Sequence, residues 1–96
     1  MNNTITYKNL KQQALDWSSI QSQMKDKLGS EIYESWLKKI NFVEEFNNYL
    51  LLSVPTRFIR DWITSRYLDQ ILQSVKNYKK QIIRIEFKVI EQNVVN

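Results

Sequence analysis

The chain has no cysteine and no histidine, and its 96 residues include one glycine and one proline. Without cysteine there is neither a disulfide nor a thiolate metal site, and a reducing cytoplasm is the expected home. With no histidine and only 10 carboxylates, groups that transfer protons, attack a substrate or hold a metal are scarce. The one adjacent acidic pair, Glu44 and Glu45, falls on a predicted strand whose side chains alternate between faces. The two carboxylates then point apart, which suits neither a glycosidase pair nor a metal site. The lone glycine, Gly29, excludes a phosphate-binding glycine loop and a dinucleotide fingerprint. These absences together predict a protein that is not an enzyme and carries no cofactor. Long apolar runs are also missing, and the first residues lack a basic stretch followed by an apolar core. The expectation is a soluble chain that is neither exported nor membrane-bound.

What is present suffices for one folded domain. Hydrophobic residues make up 43% of the chain and aromatics 12%, enough apolar surface to form a modest core. The net charge of +4, from 14 basic and 10 acidic residues, is mild beside the dense clusters of tight nucleic-acid binders. Weak nucleic-acid contact is permitted and not required.

Residues 1–13 are polar and expected to form a flexible leader, residues 14–90 a globular domain, and residues 91–96 a tail or the start of a linker. The apolar positions Trp17, Ile20, Met24 and Leu28 step by three and four, predicting a first helix from Ala14 that ends at Gly29, which tolerates a left-handed cap. Ser30 is predicted to cap a second helix, with Glu31 in its first turn, Lys38 and Lys39 in its last, and a buried stripe of Tyr33, Trp36, Leu37 and Ile40. Residues 41–46 and 49–54 read as a β-hairpin turning on Asn47 and Asn48, residues that tolerate positive φ. Pro55 then ends the apolar run, and Thr56 caps a third helix. Its apolar residues are Phe58, Ile59, Trp62, Ile63, Leu68, Ile71, Leu72 and Val75, and the stripe changes phase around residues 65–67, predicting a bend or break there. Residues 81–90 alternate, with Ile83, Ile85, Phe87 and Val89 on one face and Arg84, Glu86 and Lys88 on the other. The order helix, helix, strand, strand, helix, strand predicts an α+β fold with helices on one face of a small sheet.

The run Val54-Pro55-Thr56-Arg57-Phe58-Ile59-Arg60-Asp61-Trp62, with Tyr67 following, resembles the amino-terminal domain, domain I, of the bacterial chromosomal replication initiator DnaA. The resemblance continues upstream through Trp17, Leu28-Gly29, Tyr33 and Trp36, and it covers roughly residues 14–90. It implies a KH-like fold with a three-stranded sheet. It also implies a non-catalytic interaction module that self-associates weakly and brings the replicative helicase, of the DnaB type, and DnaA-binding regulators to the chromosomal origin. Trp17 matches a tryptophan used for self-association, with Asp16 standing where family members place an apolar residue. Phe58 matches a phenylalanine that contacts helicase and regulators, and Thr56 a position that helps bind regulators. Ile32 matches an acidic helicase-contact position, and Glu31 stands beside it. Trp36 and Trp62 lie on apolar stripes and are expected in the core.

Two further readings accompany this one. Arg57, Arg60, Arg66, Lys76, Lys79, Lys80, Arg84 and Lys88 give the third helix and last strand a basic bias, which would support a weak, salt-sensitive contact with single-stranded DNA. The Gly-x-x-Gly loop of true KH domains is absent, which disfavours sequence-specific RNA recognition. The ATPase and DNA-binding parts of a full initiator are not in the sequence. The chain is therefore expected to be either its first domain or a short stand-alone relative that regulates initiation by competing for the same partners.

Overall fold

The computed structural model describes residues 15–90, so the expected leader and tail lie outside it. In order, the elements are α1 (Trp17–Leu28), α2 (Ser30–Ser35), a 3₁₀ turn (Leu37–Lys39), β1 (Asn41–Glu45), β2 (Tyr49–Val54), α3 (Arg57–Tyr78) and β3 (Arg84–Val89). The strands form one sheet in the order β1-β2-β3. β1 and β2 are antiparallel, whereas β2 and β3 are parallel, with α3 as the crossover between them.

Asp16 starts α1. Its carboxylate accepts the Ser19 N–H at 3.4 Å and the Ser18 and Ser19 hydroxyls at 3.3 and 2.9 Å, occupying donors that the first turn leaves unpaired. Gly29 ends the helix at φ 95°, a backbone conformation that a side chain would strain, and its N–H donates to the Lys25 carbonyl at 2.9 Å. The same glycine stands at the cap of α2, so Ser30 is the first helical residue rather than the cap, and no side chain caps this helix. The second helix is also shorter than its sequence pattern predicts. Trp36 leaves helical geometry at φ −129°, and the tighter 3₁₀ turn that follows carries Leu37 and Ile40 into the core.

The hairpin forms at the predicted place, closed by the Phe46 N–H donating to the Tyr49 carbonyl at 2.9 Å. Asn47 and Asn48 do not adopt positive φ, because Gly29 alone does so among the described residues. β1 contains a bulge: the pairing slips between Phe42 and Glu44 and leaves Val43 as the extra residue.

Thr56 caps α3 as predicted, its hydroxyl accepting the Ile59 N–H at 3.1 Å. The predicted break around residues 65–67 is absent, and α3 runs unbroken for 22 residues. Its inward stripe is Ile59, Ile63, Tyr67, Ile71 and Val75, one residue per turn. The apparent phase change comes from counting Trp62 in that stripe, whereas its ring turns aside onto Trp36. At the other end of the helix, β3 starts at Arg84, three residues after the alternating stretch begins. Ile82 is fully buried and Ile83 is 57% exposed, because pairing with β2 begins only at Arg84 opposite Tyr49.

Leu50, Leu52 and Val54 of β2, beside Ile85, Phe87 and Val89 of β3, face the helices. They meet Ile20, Met24, Tyr33, Leu37, Ile63, Ile71 and Val75, and each such burial contributes about 2 kcal/mol. The opposite sheet face carries Arg84, Glu86 and Lys88, all exposed. The fold is thus α+β, with helices on one face of an open three-stranded mixed sheet. Among the described residues no helix is long and apolar enough to cross a membrane.

Candidate interaction surfaces

Two apolar surfaces stand out from this framework. The first gathers at the start of α3. The Trp36 and Trp62 rings stack at 3.6 Å and 8°, Phe58 approaches Trp36 at 6.1 Å, and Tyr67 approaches Trp62 at 5.6 Å. The Arg66 guanidinium lies 4.3 Å from the centre of the Trp62 ring, on the face that Trp36 leaves free. Both tryptophans are half-buried and border the core, which corrects the expectation of core residues: the end of α2 holds Trp36 at the protein's edge, where Trp62 can cover it. Phe58 is 66% exposed on the rim of this stack. Phe58, Asp61, Trp62, Ser65 and Arg66 line an open hollow of about 320 Å³. Thr56 is exposed beside it, its hydroxyl engaged in the cap. Ile32 lies one turn before Trp36, whose N–H donates to the Ile32 carbonyl at 2.9 Å. Ile32 is half-buried against the core, while Glu31 is exposed in the first turn of α2. The structure therefore joins Thr56 and Phe58 to Trp36, Trp62 and Arg66 in one surface.

The second surface lies at the start of α1. Trp17 is half-buried, its ring 6.0 Å from that of Phe42 on edge strand β1. Phe42 is 36% exposed, so the patch around Trp17 includes a strand residue that helix periodicity alone could not reveal. Alternation broken by the Val43 bulge hid it. One carboxylate fixes this corner: Glu45 accepts the Leu15 N–H at 3.0 Å through Oε1 and pairs with Lys79 through Oε2. Lys79 and Glu45 are both largely buried, so the end of α3, the edge strand and the entry to α1 meet there.

The eight basic positions do not form one surface. Arg57 and Arg60 stand at the start of α3, with Arg60 paired to Asp61 at 3.1 Å, and Arg66 lies two turns further on. Lys76, Lys79 and Lys80 lie at or beyond its other end, about 15 Å or more from Arg66 and about 30 Å from Arg57 along the helix. Lys79 is taken by Glu45. Arg84 and Lys88 are on the opposite sheet face, where Arg84 covers the Tyr49 ring at 4.2 Å and pairs with Glu86 at 3.4 Å.

Among the described residues, three titratable groups depart from their ordinary values. Hydrogen bonds from Ser19 hold the Asp16 carboxyl low, the Lys38 hydrogen bond and charge hold Glu34 low, and burial pushes the Tyr33 hydroxyl up. All three are structural: a cap, a surface pair at 3.0 Å and a core-edge phenol. Among the described residues no three acidic side chains converge as a metal site would require.

The model of the DnaA N-terminal domain family matches residues 16–77. The chromosomal replication initiator protein DnaA of Wolbachia sp. subsp. Brugia malayi is 42% identical over 76 residues, covering 79% of this chain and 16% of that protein. The same protein of Rickettsia bellii is 40% identical over 70 residues, 73% of this chain and 15% of that protein. That of Wolbachia pipientis wMel is 40% identical over 80 residues, 83% of this chain and 17% of that protein. The chain thus spans about a sixth of the length of the curated relatives it matches. The matched residues run from the Asp16 cap through most of α3 and take in both tryptophan surfaces, and the chain belongs to the DnaA N-terminal domain family, a domain of chromosomal replication initiators.

Proposed function

We propose that this domain is a non-catalytic, cytoplasmic protein-interaction module of the replication initiator. It self-associates weakly through the Trp17 surface and recruits the replicative helicase and initiation regulators through the Phe58 surface. The observation that supports the second role most directly is Phe58 itself, a phenylalanine 66% exposed at the rim of a stacked tryptophan pair. A large apolar ring held in water on a rigid helix is the usual form of an interface anchor. Thr56 shapes that surface by starting the helix, and Ile32 and Glu31 extend it across α2. Weak single contacts suffice when many initiator copies line up on origin DNA, because each neighbour raises the effective concentration of the next. Pull-down of the replicative helicase by the wild-type chain and by Phe58→Ala tests this reading. Wild type is expected to capture helicase and the variant to lose it, and equal capture by both rejects Phe58 as the contact.

A further inference from the structure

We propose that β3 carries a second self-contact, in which the β3 strands of two copies pair antiparallel and join the two three-stranded sheets into one.

The sheet order leaves β3 with one side unpaired. The Phe46 N–H donates to the Tyr49 carbonyl, which therefore points to the β1 side. Peptide groups alternate sides along a strand, so Leu50, Leu52 and Val54 turn theirs toward β3, and the Val54 carbonyl accepts the Ile90 N–H at 2.9 Å. By the same alternation Arg84, Glu86 and Lys88 bond to β2, while Ile85, Phe87 and Val89 present their N–H and C=O groups to the free edge. Ile83, whose N–H donates to the Asn48 carbonyl, lies before the ladder begins. Side chains at this edge are also incompletely covered. On the central strand Leu50, Leu52 and Val54 are buried, whereas Ile85, Phe87 and Val89 face the same helices half-exposed, because the helical layer stops short of the outer strand.

Charge selects a second copy as the occupant. An antiparallel pairing centred on Phe87 sets that ring opposite Phe87 of the second copy and Ile85 opposite its Val89, so the apolar side chains of the two edges cover one another. On the bare sheet face Glu86 then stands opposite Lys88 of the second copy, and the two-fold axis repeats the pair. Among the described residues no carboxylate pairs with Lys88, and Glu86 has Arg84 at 3.4 Å as its partner. A slip that centres the pairing on Glu86 opposes the two Glu86 carboxylates and sets Arg84 against Lys88, so like charges exclude it. Trp17 packs on Phe42 of β1, the opposite edge of the sheet, and the pairing is therefore separate from the Trp17 contact proposed above.

Amide hydrogen exchange, read residue by residue at rising concentration with sedimentation equilibrium beside it, tests the pairing. The Ile85, Phe87 and Val89 amides are expected to exchange freely in dilute protein and to slow about tenfold or more as the mass doubles. Glu86→Lys and Lys88→Glu, both at exposed positions, are each expected to abolish that slowing, and the double variant to restore it. Trp17→Ala is expected to keep it. Edge amides whose exchange ignores concentration overturn the pairing even where the mass rises, and a mass gain that Trp17→Ala then removes leaves Trp17 self-association standing. A double variant as weak as the single ones overturns the second copy as the occupant of this edge.

Discussion

The Trp36 and Trp62 rings stack face to face at 3.6 Å, joining the end of α2 to the first turns of α3 across 25 intervening residues of sequence. This stack supports Phe58 from below, and Arg66 covers its far side. A double-mutant cycle with Trp36→Leu and Trp62→Leu should give a coupling of about 1 kcal/mol beyond the lost burial. Chemical denaturation of the four proteins measures it, and additive effects would show that the rings are neighbours without being partners.

Phe58 is expected to matter for binding and not for folding. With two-thirds of its surface in water, Phe58→Ala should change stability by less than about 1 kcal/mol. A thermal melt close to wild type, alongside lost helicase capture, separates the two effects. A large drop in melting temperature would place Phe58 in the core's energetics after all.

Ser74 is fully buried in α3 between Ile71 and Val75, and its hydroxyl has no hydrogen-bond partner. Alanine removes the desolvated hydroxyl and is the better helix former, so Ser74→Ala should stabilise the domain by about 1 kcal/mol. Urea denaturation should show a higher midpoint with an unchanged slope. A lower midpoint would mean that the hydroxyl is satisfied in solution.

Glu45 ties three elements together, and its removal leaves Lys79 largely buried without its partner and the Leu15 N–H without an acceptor. Glu45→Ala should cost about 3 kcal/mol, as for other half-dismantled buried pairs. Glu44→Ala, one residue away and exposed, should stay within about 0.5 kcal/mol. Similar losses in the two variants would place the clamp's weight elsewhere.

The Asp16 cap makes α1 acid-sensitive. Its carboxyl titrates below the ordinary value because Ser19 and Ser18 hydrogen-bond the charged form. A depressed native value means that the cap's contribution is complete above the unfolded value, about pH 4, and is lost as pH falls through the lower native value. Asp16→Asn keeps an accepting oxygen without the charge, so its stability should depend less on pH below about 4 than that of wild type. Parallel acid titrations by circular dichroism compare them, and identical acid limbs would show that other carboxylates set the transition.

Much of the local structure is legible in the residues because it depends on short-range chemistry. Pro55 and Thr56 fix the strand-to-helix junction, Gly29 supplies the positive φ between α1 and α2, and strict alternation marks β3 from Arg84 onward. Those features need only a ring, a hydroxyl, a missing Cβ or a period of two. Composition alone likewise shows how little proton-transfer or metal chemistry is available to a chain without histidine or cysteine.

Tertiary packing decided the rest. Periodicity assigns Trp36 and Trp62 to the core because a wheel records spacing and not what lies opposite. Only with α2 ending at Ser35 does Trp36 reach the edge, where Trp62 stacks on it and gives Phe58 its exposed platform. The Trp17 patch depends on Phe42 across a bulged edge strand, and Lys79 is withdrawn from the basic surface by a carboxylate 34 positions away. Such neighbours are set by where the elements meet, through the shape of facing side chains and the burial of charge, and no local propensity encodes them.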